Sequence, residues 1–481
     1  MRKRIQEKMR RSNALVILNE CLRTEDNQLL EQASSHDGVL CVYLIDRRPI
    51  TLHGQQFEAK GVYARTFELE ALKELEASLK QLRINLSVIP FETEAVFKLL
   101  EDHHIDTVYS ALSIGSYEQQ LKNGILEKTR GSLKWKEYPV QFLISPKNTP
   151  FEINDLPEVF TVFRKKVEKR LSIERPLECI EKLADNSLFQ SDHSALPSLD
   201  SFGYFSSEPD RRSAHPFKGG ESEAIKRVQD YFFERRLVSR YKKTRNGLIG
   251  EAYSTKFSGY LALGCISARS IYAALSAYES TIEKNEDTYW VLFELLWRDY
   301  FKFLGLKHSD NLFKLGGIKE RSYPWNNDKI AFEAWINGTT KDPFVNAIML
   351  ELKHTGFTSN RGRQNAASYW SKTLRQDWRI GAYYFQTQLI DNDVQSNWGN
   401  WNYLAGVGND PREDRYFNLV SQTARYDPRG EFVMRWVPEL RDVPPEEIPY
   451  VVRFNKHQRQ QYRLGAYPEP VVFSSAWRKG V

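Results

Sequence analysis

The sequence predicts two unlike halves: an N-terminal α/β domain built as a doubly wound parallel sheet, then a large all-α C-terminal domain. Three observations predict it. Residues 14–145 alternate short β-branched apolar runs with longer segments of helical spacing. Beyond Gly219-Gly220 strand-like alternation almost vanishes, and apolar residues recur on broad helical faces. Between these halves, residues 184–216 are rich in Ser, Asp and Pro and show no sustained period, as suits an interdomain connector.

The elements follow in order. ALVIL (14–18), VLCVYLI (39–45), LSVI (86–89), TVYSAL (107–112) and VQFLI (140–144) read as strands. Several are apolar throughout, as strands covered on both faces should be. Segment 64–82 carries apolar residues at helical spacing, so it reads as a crossover helix. No G-x-G-x-x-G follows the first strand, which excludes an NAD-type fingerprint. In the second half, ESEAIKRVQDYFFERRLVSRY, SARSIYAALSAYES and TYWVLFELLWRDYFKFL read as helices. The expected bounds are 12–150 for the α/β domain, 151–216 for the linker, 217–440 for the helical domain and 441–481 for an irregular C-terminal segment. No internal repeat is visible.

Composition narrows the classes. With 481 residues, 41% hydrophobic and 27% charged, the chain can bury a large core and is neither disordered nor collagenous. No run approaches the ~18 apolar residues of a membrane span. The opening MRKRIQEKMRR is basic without the apolar core of a signal peptide, so a cytoplasmic protein is expected; an Arg-rich organellar leader stays compatible with it. Cys21, Cys41, Cys179 and Cys265 lie far apart with no CxxC pair, against a disulfide scaffold or zinc ribbon. The net charge of +6 is mild and by itself hardly favours nucleic acid.

Ten of the eleven tryptophans lie from Trp290 onward, which fits an aromatic helical core and equally a site for a ring-shaped ligand or an electron path. Four segments there combine polar and aromatic residues in ways a core would not choose. In YKKTRNGLIGEAYSTKFSGYLALGCIS, Tyr241 precedes Ser254, Thr255, Lys256, Phe257 and Ser258; hydroxyls, a lysine and amides before a helix can hold phosphate, although Ser/Thr there is more often a cap. In FELLWRDYF, Glu294, Trp297 and Arg298 share one helix face, a pattern that a surface ion pair beside a core Trp also gives. Asn360, Arg361, Arg363, Gln364 and Asn365 crowd one turn before an apolar helical run, as a solvated helix start or as cofactor and phosphate donors. The strongest is LIDNDVQSNWGNWNYLAGVGND (389–410), with three acids, five asparagines and three aromatics. A buried flat heterocycle needs carboxylate and amide partners at its edge and aromatics around it, and a plain loop does not. No serine-hydrolase elbow, Walker loop, HExxH or metal-ligand cluster is present, and His103-His104 carries no evident chemistry.

Together these segments resemble the photolyase/cryptochrome family, and the similarity covers nearly the whole chain. FTVFRKKVEKR (160–170), FKGGESEAIKRVQDY (217–231), YKKTRNGLIG (241–250), STKFSGYLALGCIS (254–267) and SNWGNWNY (396–403) are phrases of its DASH-type cryptochromes. The resemblance implies a photolyase-like fold with non-covalent FAD in the helical domain. It implies that Tyr241 borders the cofactor, that Ser254 to Ser258 hold its diphosphate, and that Arg298 approaches its phosphate–adenosine part. Asp391 and Arg363 correspond to the family's salt bridge beside the flavin ring, with Asp393 accepting from the ring edge. Asn397 stands where the family places the group facing flavin N5; photolyases have Asn there. Trp401, Trp378 and Trp325 fall on the family's electron chain, while also reading as ordinary core tryptophans.

Glu294, Trp297, Asn360, Arg361, Gln364 and Tyr403 occupy the positions that contact a cyclobutane pyrimidine dimer in photolyases. Of these Glu294 and Asn360, with Asn397, are the expected catalytic residues. Six-four photolyases carry His at the Asn360 position. Duplex photolyases typically have Met for Gln364 and Trp for Tyr403, so this pocket is more polar. A flipped dimer must offset a few kcal/mol of unstacking and unpairing, and stacking returns ~1–3 kcal/mol per base. The implied activity is therefore light-driven, FAD-dependent repair of dimers in single-stranded DNA, a carbon–carbon lyase reaction, by a monomer with no metal and no membrane partner. The rival readings are a blue-light photoreceptor that binds nucleic acid without efficient repair, and a family member holding FAD structurally. The folate loop of DASH proteins reads ALSIGSYEQ (111–119) with Ile114 where a Glu is expected, Glu118 remaining as one acid. Little or no methenyltetrahydrofolate antenna is expected.

Overall fold

The computed structural model describes residues 12–180, 196–205, 210–412, 416–465 and 467; the rest of the Ser-rich connector and of the C-terminal segment lie outside the described residues. Five parallel strands form the N-terminal sheet in the order β5-β2-β1-β6-β7. They are β1 (Asn13–Ile17), β2 (Gly38–Ile45), β5 (Leu86–Pro90), β6 (Thr107–Ala111) and β7 (Lys134–Tyr138). A separate hairpin joins β3 (Ile50–Leu52) to β4 (Gln55–Phe57).

The wholly apolar strands are explained by two different cores. Ala14, Val16, Cys41, Tyr43 and Ile45 face a core shared with the helical domain. Their neighbours Leu15, Ile17, Leu40, Val42 and Leu44 face a smaller core containing Val96, Leu100, Leu121 and Ile125, from helices Thr93–Asp102 and Ser116–Lys128. Because side chains alternate sides along a strand, burial on both faces removes the polar positions. The expected crossover helix forms at Val62–Gln81.

One expected strand is absent. Residues 140–144 form a turn, and the fifth strand lies earlier, at Lys134–Tyr138. The apolar run is buried for another reason: the amides of Leu143 and Ile144 donate to the carboxylate of Asp299, at 3.0 and 2.8 Å to its nearest oxygens. Burial gave 140–144 the composition of a strand, while the true edge strand, KWKEY, is half wet and charged as edges are.

The expected helices form as Glu221–Val228, Ala268–Thr281 and Glu286–His308, the first continuing into a π turn at Gln229–Glu234. The longest, Glu286–His308, begins in a capping box between Asn285 and Thr288. Within the segment read as linker, Phe160–Glu168 is a helix whose Phe160 ring stacks on Trp297 at 3.7 Å and 14°. Towards the end of the chain, 3₁₀ turns at Pro438–Leu440 and Ile448–Arg453 and a helix at Lys456–Gln461 are ordered. A second core gathers Trp335, Trp370, Trp378, Trp398 and Trp401, so most of the tryptophan enrichment is packing.

Candidate functional site

A cleft of about 420 Å³ opens in the helical domain. Three helix starts and the flank of a fourth helix meet there. Helix Asn360–Ser368 is capped by Ser359, whose Oγ accepts from the Gly362 amide at 2.9 Å. Helix Val394–Ala405 is capped by Asp393, which accepts from the Ser396 amide at 2.9 Å. The short helix Ser258–Leu263 follows Lys256, whose φ of 61° bends the chain into the left-handed region. Helix Glu286–His308 runs along the wall and presents Glu294, Trp297 and Arg298 on one face.

The four polar segments therefore converge. Tyr241, Ser254, Thr255, Lys256, Phe257, Ser258, Glu294, Trp297, Arg298, Asn360, Arg361, Arg363, Gln364, Asp391, Asp393 and Tyr403 all line this cleft. Asn397 and Trp401 line a narrower chamber of about 80 Å³ that shares Asn360, Arg363, Asp391 and Asp393 with it. Trp378 is fully buried and Trp325 half-buried, and neither lines the cleft.

Its electrostatics divide the cleft in two. Asp391 Oδ2 pairs with Arg363 Nη2 at 2.9 Å; burial alone would raise this carboxyl, but the guanidinium outweighs it and holds it below its ordinary value. Asp393 has more partners than the sequence suggested. Besides its cap, it pairs with Lys302 Nζ at 2.9 Å and Arg298 Nε at 3.5 Å, and these cations overcome burial and hold its carboxyl far down. Arg298 also reaches the Leu261 carbonyl at 3.0 Å and the Gln141 carbonyl of the N-terminal domain. On the outer side Glu294 is raised by burial while its ion pair with Arg245 opposes the rise. Arg361 donates to Gln364 Oε1 at 2.8 Å and Asn246 Oδ1 at 3.1 Å. Trp297 and Tyr403 meet edge to face at 6.3 Å and 89°.

Lys302, Arg245 and Asn246 were not found from the sequence. Lys302 sits four residues after Arg298 on the same face, a lysine inside the apolar run YFKFLGL, and that misfit was the available signal. Arg245 falls one turn after Tyr241 in a basic stretch that also reads as solvated surface.

Family models, relatives and solved structures all match this chain. Residues 14–182 match the family described as DNA photolyase, and residues 290–480 match the FAD binding domain of DNA photolyase. A cryptochrome DASH of Gloeobacter violaceus is 41% identical over 480 residues, spanning 97% of this chain and 95% of its own length. This chain belongs to the photolyase/cryptochrome family, in its DASH branch. The crystal structure of Synechocystis sp. PCC6803 cryptochrome superposes on this DASH-type chain with a TM-score of 0.91 at 36% identity, covering 96% of this chain and 97% of that one. A class III photolyase from Agrobacterium tumefaciens shares the fold at 23% identity and a TM-score of 0.82, covering 98% and 97%.

Membership makes the helical half an FAD-binding domain, and its residues fit that cofactor. Lys256 is 2% exposed, yet its Nζ has no hydrogen-bond partner among the described residues and lies 3.3 Å from the ring centroid of Tyr253. Burial drives its ammonium well below its ordinary pKa. A buried cation facing a cleft beside Ser254, Thr255 and Ser258 matches an anionic group such as the diphosphate. Among the described residues no group of three or more His, Cys, Asp or Glu can hold a metal ion, and no helix is long and apolar enough to cross a membrane.

Proposed function

We propose that the protein is a light-driven lyase that splits cyclobutane pyrimidine dimers, preferentially in single-stranded DNA. The observation that carries this reading is the wall formed by Glu294, Trp297, Asn360, Arg361, Gln364 and Tyr403, continuous with the cofactor half of the cleft. FAD, when bound and reduced, supplies the light-excited electron and takes it back. The chain's own residues do the rest. Arg363 and Asp391 fix charge at the inner end, and Ser254, Thr255, Lys256 and Ser258 bind the diphosphate while Tyr241 and Phe257 border the cofactor. Asn397 donates to the Ala382 carbonyl at 3.0 Å, which fixes its amide at the chamber wall. Trp297, backed by Phe160, offers a rigid stacking face. Glu294, held by Arg245, presents its carboxyl to the base edge, and Asn360 gives an amide to the same edge.

The preference follows from polarity. Gln364 is committed to Arg361 and Tyr403 meets Trp297 edge-on, so the slot stacks a flipped dimer less fully than an apolar slot would. Single-stranded DNA has no pairing to break, so repair there tolerates the loss. Arg361 and neighbouring cations hold flanking phosphates, and binding weakens with salt.

The test is illumination of the reduced protein with dimer-containing oligo(dT), alone and annealed to its complement. Repair of the single strand at least tenfold faster than the duplex is expected, with partial duplex repair regained in the Gln364→Met/Tyr403→Trp variant. Equal rates would overturn the polarity argument. No repair of either substrate would favour the photoreceptor reading.

A further inference from the structure

We infer that Trp398 and Tyr383 form a second electron exit, leaving Trp378 for the surface by a route independent of Trp325. The inference rests on reading Trp401 and Trp378 as an electron chain; the branch beyond Trp378 is new. Trp378 and Trp398 meet edge to face with ring centroids 5.5 Å apart at 78°. Trp398 then meets Tyr383 at 4.7 Å and 80°. All three rings are in van der Waals sequence, and only the last is partly exposed: Trp378 and Trp398 are 0% and 1% accessible.

The hydrogen bonds suit a mobile hole. Trp378 donates its indole N–H to the Leu315 carbonyl at 3.0 Å, and Trp398 donates to Gln386 Oε1 at 2.7 Å. Neither acceptor is a base that could take the proton, so each indole, once oxidised, keeps its proton and passes the hole on. Two of the rings packed on the route are dead ends. Phe313 packs on Trp398 at 5.0 Å and Phe57 stacks on Tyr383 at 6.0 Å and 27°, and a phenylalanine is too hard to oxidise to accept a hole. Tyr383, the partly exposed ring of the three, is where the route reaches the surface.

The steps balance. Oxidised Trp378 takes one electron from Trp398, and Trp398 takes one from Tyr383. The phenol releases its proton to water and becomes a neutral phenoxyl radical. A soluble thiol then restores it by giving one electron and one proton, leaving a thiyl radical. Phe57 belongs to the β3–β4 hairpin, so the N-terminal domain covers one face of this exit.

The experiment uses the full FAD-loaded chain under blue light with a thiol, followed by flavin absorbance and by electron paramagnetic resonance. Trp325→Phe is expected to keep slower photoreduction and to show a tyrosyl signal that narrows when the protein carries ring-deuterated tyrosine. Adding Tyr383→Phe, which removes one hydroxyl from a partly exposed ring, should lower the remaining rate at least tenfold and remove that signal. Trp325→Phe/Trp398→Phe should behave the same way. The branch is overturned if Trp325→Phe alone falls to the level of Trp401→Phe, or if Tyr383→Phe changes neither rate nor signal. Full photoreduction in Trp401→Phe would instead overturn the parent chain, and the branch with it.

Discussion

The indole of Trp401 rests against the bare Cα of Gly381: a methyl there would lie 2.3 Å from the ring's Cη2. Gly381 lies one turn after Trp378 in helix Trp378–Gln388, so one helix positions both tryptophans. Gly381→Ala is expected to displace the Trp401 ring, with an overpacking cost of about 1–3 kcal/mol. Thermal denaturation should show the loss, and blue-light reduction with a thiol should slow. An unchanged melting temperature together with an unchanged rate would show that the ring does not sit on Gly381.

Lys256 should have opposite effects with and without its ligand. In the empty protein a buried amine without a partner costs about 1–3 kcal/mol, so Lys256→Met should raise the melting temperature of the apoprotein. FAD affinity should fall at least tenfold, because a charged donor to the diphosphate is gone. Dialysis followed by flavin absorbance measures the second effect. Retention equal to the parent's would remove Lys256 from the cofactor site.

His215 should make folding sensitive to mild acid. It is buried among Phe67, Phe217 and Phe357 at 5.8, 5.3 and 5.1 Å, and burial pushes it down from 6.5 to about 4. Between those two pH values the unfolded chain holds a proton that the folded chain does not, so stability falls as pH falls. Relative to His215→Phe, the parent should lose up to about 1.4 kcal/mol per pH unit across that window. Parallel pH profiles in urea denaturation would refute it.

Ile114 should leave the protein without a folate antenna. Its side chain is 6% exposed and its Cγ2 lies 2.7 Å from where a Gly305 Cβ would be, so it is spent on packing between the two domains. A carboxylate acceptor is missing there, and an unpaired ligand donor costs about 1–3 kcal/mol. The purified protein should therefore show flavin absorption without a folate band. Ile114→Glu should lower stability rather than restore binding, because Gly305 and Gln395 leave the acid no water. Stoichiometric folate in the parent would show that other groups serve as acceptors.

The sequence by itself determined the class of each half, since periodicity and composition report burial directly. It also singled out polar segments that the fold brings to one cleft: clusters such as Asp391, Asp393 and Asn397, next to an apolar lead, are costly to bury. It failed where burial and secondary structure part company. Residues 140–144 are as apolar as a strand, but a carboxylate from the long helix satisfies their amides, and nothing local encodes Asp299. Only the tertiary structure decided partners. Lys302 on Asp393, Arg245 on Glu294 and Phe160 on Trp297 each join residues far apart in the chain. Only the fold could place Trp398 between Trp378 and Tyr383, because which rings touch depends on how two helices cross. Residue types fix what a side chain can do; packing fixes what it does it to.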